Sequence, residues 1–187
     1  MNFFKKRWVA IVIAVCTVWG SLMLSTDIKF GAECQKITDG FYDGVEYNGY
    51  KHPSIASHLR NIVGYADGIV TIANRYELDS DELSSVNEDL KLALSYSRGD
   101  ESYIYFCYDE LLGELRAIEA ELYDKELSER DRSGLDQYVD GITGAQSAID
   151  ESGYNESVSE FMREKCTGLA YDLAYLTSVD LPDYFGY

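Results

Sequence analysis

Ser54 to Glu77 reads SIASHLRNIVGYADGIVTIANRYE, and the spacing of its apolar side chains decides the fold class. Ile55, Leu59, Ile62, Val63, Ala66, Ile69, Ala73 and Tyr76 recur every three or four residues, the period of one helix face; a half-buried strand would alternate instead. The chain has only two prolines, Pro53 and Pro182, so no missing amide N–H interrupts a helix between them. Working outward, Asp79 and Glu82 have capping-box spacing and start a second helix carrying Leu83, Val86, Leu90 and Leu94, which Gly99-Asp100 ends. A third helix, about Ser102 to Glu129, places Ile104, Cys107, Leu111, Leu115, Ile118 and Leu122 on one side, with Glu110, Glu114, Glu119 and Glu121 elsewhere. A fourth opens near Arg132 and runs through Leu135, Tyr138, Val139, Ile142, Ala145 and Ile149 to Val158, Phe161, Leu169 and Leu173, towards Thr177. Glycine costs about 1 kcal/mol against alanine in a helix interior, so Gly141, Gly144 and Gly153 mark either close approach of a neighbour or a bend. Four amphipathic patterns joined by short turns predict an all-α antiparallel four-helix bundle.

Ahead of the bundle, Trp8 to Leu24 is an uncharged apolar run of about the length that crosses a hydrocarbon core. Lys5, Lys6 and Arg7 precede it and Asp27 follows, which by the positive-inside rule puts the amino end in the cytoplasm and the body outside. Trp8 and Trp19 suit interfacial positions. A cleaved signal peptide is the rival reading, but Val18-Trp19-Gly20 is only a passable cleavage site, and an uncleaved anchor is favoured. The organisation read here is therefore a cytoplasmic stub and transmembrane anchor over residues 1–26, a loosely ordered juxtamembrane connector over 27–53, interrupted by Gly40, Gly44 and Gly49, and a helical bundle over 54–187.

The formal net charge is −17. Three of the basic residues lie before the apolar run, so the body is more acidic still. Such a surface repels phosphate backbones and anionic headgroups, which excludes nucleic acid as a partner. Solvated helix faces account for the acids better than a basic partner does. Cys16, Cys34, Cys107 and Cys166 form no C-x-x-C pair, and with Cys16 inside the anchor an odd three remain outside it; buried free thiols are the reading for Cys107 and Cys166. His52 and His58 are six residues apart and fall on different faces, so no metal site is expected. Asp79, Asp81 and Glu82 read as a helix cap rather than a cation site. No glycine-rich phosphate loop and no nucleophile beside a histidine is visible, so neither a catalytic site nor a cofactor is predicted. Tyr103, Tyr105, Phe106 and Tyr108 cannot all point inward, so some aromatic surface should show, either as a contact site or as a wet bundle cap.

Tyr154-Asn155-x-x-Val158-x-x-Phe161 resembles the late tyrosine-asparagine motif of LemA-family proteins, and Leu181-Pro182-Asp183-Tyr184-Phe185 resembles that family's proline-then-tyrosine-phenylalanine ending. Ile55, Leu59 and Arg60 resemble its first soluble helix, and Leu135 to Ile149 its last. The chain departs from the pattern at Gly168-Leu169, at Phe161-Met162 in place of a second tyrosine-asparagine pair, and in lacking a proline within the first soluble helix, as a divergent member would. The resemblance implies a helical bundle on a single membrane anchor, with no established enzyme chemistry, metal or cofactor. Two function classes follow. One is a non-enzymatic scaffold or binding protein that meets the lipid bilayer through its first helix and holds a protein partner at the membrane surface, with an accessory of an envelope-stress or quality-control complex as a special case. The other is an exported enzyme with an unrecognised site. The tail from Leu181 to Tyr187 is expected near the membrane surface, tying the bundle to its anchor region while adding little to its stability.

Overall fold

The computed structural model describes residues 2–47, 49–96, 100–168, 171–172 and 179–186. Of the positions singled out above, Gly99, Leu169, Leu173, Thr177 and Tyr187 lie outside the described residues, as do the side chains of Lys5, Lys6, Arg7 and Asp27. The described chain is mostly helical, with α1 Asn2–Asp43, α2 Ile55–Arg75, α3 Asp81–Tyr96, α4 Glu101–Tyr123, α5 Glu129–Asp150 and α6 Tyr154–Lys165; a two-residue hairpin, β1 Glu46–Tyr47 and β2 Tyr50–Lys51, joins α1 to α2.

The first correction concerns the connector. Residues 28–43, expected to be loosely ordered, continue the helix of the apolar run without a break, so α1 is 42 residues long. Phe30, Cys34, Ile37 and Phe41, spaced by four, three and four, form a stripe that packs against the body, and that burial outweighs the cost of Gly31 and Gly40 in the helix. The helix stops at Gly44, whose φ of 87° is in the left-handed region and whose N–H donates to the Gly40 carbonyl at 2.9 Å. A Cβ there would lie 2.3 Å from the His52 carbonyl oxygen, so only glycine fits this turn.

The first three amphipathic patterns are helices with the expected faces. Ile55, Leu59, Ile62, Ala66, Ile69 and Ala73 of α2, Leu83, Val86, Leu90 and Leu94 of α3, and Ile104, Cys107, Leu111, Leu115, Ile118 and Leu122 of α4 are all buried. Ser54 caps α2, its hydroxyl accepting the Ser57 N–H at 3.1 Å. The start of α3 differs from the expected capping box: Asp79 accepts the N–H of Asp81 at 3.2 Å, and the helix opens two residues after it, with buried Ser80 between. The third pattern ends at Tyr123, short of Glu129, because Ser128 accepts the Asp131 N–H at 3.1 Å and caps α5 instead.

Helix α2 lies at the centre of the described helices, against α5, α3 and, more lightly, α4, while α4 rests mainly on α3. Helices α2 and α5 run antiparallel. At one end Asp131 pairs with Arg75 and accepts from Tyr76 Oη at 3.0 Å; further along, Gly68 faces the Tyr138 ring and Gly141 faces the Tyr65 ring. The two tyrosine rings, 6.2 Å apart between centroids, each cover the glycine of the opposite helix. Asn87 joins α3 to α2, donating to Val63 O at 3.3 Å and Asp67 Oδ1 at 2.7 Å. Tyr123 reaches from α4 to α5, donating to Asp136 Oδ1 at 2.7 Å.

The fourth pattern is two helices rather than one. Gly153, with φ of 72°, breaks the chain between α5 and α6, and α6 turns onto α1. Its Phe161 ring meets Phe30 at 5.7 Å, and Lys165 pairs with Glu33 at 3.3 Å. Of the three glycines, Gly153 is therefore the bend and Gly141 the close approach, while nothing lies within 4 Å of a Cβ built at Gly144.

Candidate functional site

The residues singled out near the C-terminus converge on one another. Tyr154 is fully buried and donates its hydroxyl to the Asp183 carbonyl at 3.0 Å. Asn155, next along α6, grips the backbone of Phe185 at both ends: its Nδ2 donates to the Phe185 carbonyl and its Oδ1 accepts the Phe185 N–H, each at 2.9 Å. The Ser102 hydroxyl donates to Asp183 at 3.0 Å. Held this way, Phe185 is buried with its ring 5.4 Å from Phe41, 5.2 Å from Tyr105 and 5.8 Å from Tyr108. Three distant parts of the chain, the end of α1, the start of α4 and the C-terminal segment, thus meet around one aromatic ring.

Val158 is fully buried in the main core, Pro182 is buried and Tyr184 is partly buried against that core, while Phe161 belongs to a second cluster with Phe30 and Cys34. The expectation that the tail adds little to stability is overturned by this placement, because Phe185 occupies the main core. Its ring also touches Phe41 of α1. Glu101, in the first turn of α4, is also buried there, at 1% exposure. It was not distinguished from ordinary first-turn acids, and nothing in its local pattern sets it apart. Burial first, then the charges of Glu101 and Asp183, push the Tyr154 hydroxyl well above the usual tyrosine value, so it stays protonated and acts as a hydrogen-bond donor.

Beside this junction lies a cleft of about 440 Å³, with Tyr105, Tyr108, Arg116, Asp150, Asn155 and Phe185 among its walls. Its polar groups are one guanidinium, carboxylates, phenols and an amide, an assortment suited to recognition by charge and hydrogen bonding; no histidine or cysteine is among its described walls. Among the described residues no group of three or more His, Cys, Asp or Glu side chains is placed to hold a metal. His58 is partly buried and its imidazole is held below the ordinary value by that burial; Cys107 is buried, which pushes its thiol up.

The N-terminal half of α1 presents the opposite surface. Over its most apolar 18-residue stretch the mean hydropathy is 2.1 and nothing is buried by the rest of the chain. Trp8 is 69% exposed and Trp19 55%, so both tryptophans of this stretch project away from the body. Of the four aromatics at the start of α4, Tyr103 and Phe106 are exposed while Tyr105 and Tyr108 turn inward. Leu92 and Tyr96 of α3 are exposed just before the same turn. No family model, no curated protein and no solved structure matches this chain.

Proposed function

We propose that this chain is a single-pass membrane protein of LemA type, a non-enzymatic scaffold whose antiparallel four-helix bundle, α2 to α5, is held at the outer surface of the membrane by α1. The observation that carries this reading is the division of α1. Its most apolar 18-residue stretch has no buried share, which in water would be a large unburied apolar area, whereas its second half is built into the body through Phe30, Cys34 and Phe41. A helix continuous across that division couples the position of the body to the lipid. Phe30 follows Leu24 by only six positions, about 9 Å of helix, so the body sits directly on the membrane surface.

The LemA reading rests on the sequence resemblance of two segments, Tyr154-Asn155 and Pro182 to Phe185, which in this structure hold each other. Exposed Tyr103 and Phe106 on α4, with Leu92 and Tyr96 on α3, supply the aromatic and apolar surface that partner contacts favour. The acidic surface of the body turns away nucleic acid and anionic headgroups.

Fusing a reporter active only outside the cytoplasm after Tyr187 tests the orientation, with activity expected. Replacing Lys5, Lys6 and Arg7 by glutamate should lower that activity by weakening the positive-inside bias. Crosslinking in native membranes tests the scaffold: reproducible capture of a partner, lost when Tyr103 and Phe106 are changed to serine, is the expected result. Substrate turnover by the purified body with no partner captured would replace the scaffold reading with that of an exported enzyme.

A further inference from the structure

The second cluster places two cysteines together that the sequence separates by more than a hundred positions. Cys34 on α1 is 3% exposed, and Cys166, the residue that ends α6, is packed partly exposed against the same cluster. Contacts just before each cysteine bring the two helices together. Phe30, one turn before Cys34, meets the ring of Phe161 at 5.7 Å, and the residues immediately before each cysteine, Glu33 and Lys165, form an ion pair at 3.3 Å. Cys107 is buried in the main core instead. The odd count of three cysteines beyond the apolar run thus divides into one pair and one isolated thiol.

We propose that Cys34 and Cys166 form an intramolecular disulfide site that fastens α1 to the end of α6. Its occupancy in cells rests on the extracytoplasmic reading of the body, since such bonds persist in oxidising surroundings; its chemistry does not. The oxidant is a disulfide, either a small-molecule one or that of a thiol–disulfide oxidoreductase. Cys166, the more exposed thiol, attacks first as its thiolate and expels one thiolate of the oxidant, leaving Cys166 in a mixed disulfide. Cys34 then loses its proton and attacks the Cys166 sulfur, and the second thiolate of the oxidant leaves. Two protein thiols have been oxidised by two electrons, and one disulfide has become two thiols.

The surroundings set the order of these steps. Burial, and next the negative charge of Cys166 beside it, push the Cys34 thiol up to about 11, so Cys34 is a poor first nucleophile. Once Cys166 is in a mixed disulfide, its charge no longer opposes ionisation of Cys34. A cleft of about 400 Å³, with Cys34, Gln35, Thr38 and Leu181 among its walls, opens beside the buried thiol.

The test uses the full chain purified in detergent, reduced, then incubated with oxidised glutathione near pH 8 and mapped by mass spectrometry without reduction. A linked pair of peptides carrying Cys34 and Cys166, lighter by two hydrogens, is expected. It should be unchanged in Cys107→Ala, absent in Cys166→Ser, and accompanied by a rise in melting midpoint on the order of 10 °C. Glutathione that stays attached to Cys166, or a bond that forms only through Cys107, overturns the proposal. Cys34→Ala, which keeps the small apolar volume of the site, controls for loss of folding and should leave Cys166 trapped as the mixed disulfide. Alkylation of thiols in whole cells reads the compartment separately: a bond that forms in the tube while both thiols stay reduced in cells leaves the site intact and refutes the extracytoplasmic orientation.

Discussion

The two 2.9 Å hydrogen bonds from Asn155 to the Phe185 backbone come from one side chain, so Asn155→Ala removes both and leaves a partly buried N–H and C=O without partners. The cost of such orphaned groups is about 1–3 kcal/mol. Urea unfolding should show a loss of that size, and amide exchange at Phe185 should quicken by more than the global loss explains, because the segment it holds is released first. Asn155→Asp keeps the acceptor for the Phe185 N–H but not the donor, and should fall between the two. An Asn155→Ala chain with unaltered exchange at Phe185 would refute the clasp. At the same scale, His58 gives a pH dependence. Its Nε2 is buried with no hydrogen-bond partner among the described residues, and burial lowers its proton affinity below the ordinary 6.5. The unfolded chain therefore binds the proton more readily than the folded one. This contribution to stability is complete above about pH 6.5 and is lost as the pH falls through that value towards the lower folded one. Melting of the parent chain should drop between pH 7.5 and 5.5 by more than that of His58→Asn; equal drops would show that His58 is not the group responsible. Asp131 acts in a separate, more acid window. The hydroxyl of Ser128, then that of Tyr76, and the charge of Arg75 hold its carboxyl below the usual range, so what it contributes disappears only as the pH falls below about 4.

At the scale of elements, the contact between α2 and α5 rests on the absence of side chains at Gly68 and Gly141. A Cβ at Gly141 would come within 2.7 Å of the Tyr65 ring, and one at Gly68 within 2.5 Å of the Tyr138 ring, so adding a methyl forces rings that lie on each other to move. Gly144, one turn after Gly141 on α5, has nothing within 4 Å, so Gly144→Ala keeps the geometry and gains the helix preference of alanine. Gly141→Ala should destabilise by about 1–3 kcal/mol, whereas Gly144→Ala should stabilise by about 0.5–1 kcal/mol. Thermal melts that shift in the same direction for both variants would mean that the close approach is not what Gly141 provides. This pair also marks what could be read in advance. The stripes of α2, α3 and α4 were legible because each buries one face, and burial follows the 3.6-residue period. That a glycine is special was legible at Gly141 and Gly153, but not which of the two roles each plays, since a bend and a close approach leave the same local signal. The C-terminal motif residues could be named, but not that they hold each other, because the bonds from Asn155 run to the backbone of Phe185 and leave no trace in side-chain chemistry. The helical nature of residues 28–43 was hidden for a different reason: Gly40, Gly44 and Gly49 suggested interruption, although Phe30, Cys34, Ile37 and Phe41 already carried a helical spacing. Of these glycines, Gly44 ends the helix through its left-handed backbone, and the His52 carbonyl, standing where a Cβ would be, leaves room for glycine alone.

At the scale of the whole molecule, α1 serves two environments, and removing each half should have opposite consequences. Residues 8–24 give the body nothing: the described side chains there are exposed except for Met23, which is partly so, and the apolar stretch has no buried share. The following turns give it Phe30, Cys34 and Phe41, the last fully buried against Tyr154 and Phe185 at ring distances of 5.6 and 5.4 Å. A chain beginning at Ile28 should therefore be soluble without detergent and melt within a few degrees of the full chain. A chain beginning at Val45 loses three buried side chains, two of them aromatic. At roughly 1.5–3 kcal/mol for each large apolar side chain returned to water, with further cost from the cavity left around Tyr154 and Phe185, this approaches the whole stability of an ordinary domain. Such a chain should bind hydrophobic dyes, expose the C-terminal segment to protease and melt without a sharp transition. If it melted as cooperatively as the chain beginning at Ile28, residues 28–43 would be a stalk beside the body and not part of its core, and the coupling between membrane position and body that carries the scaffold reading would be lost.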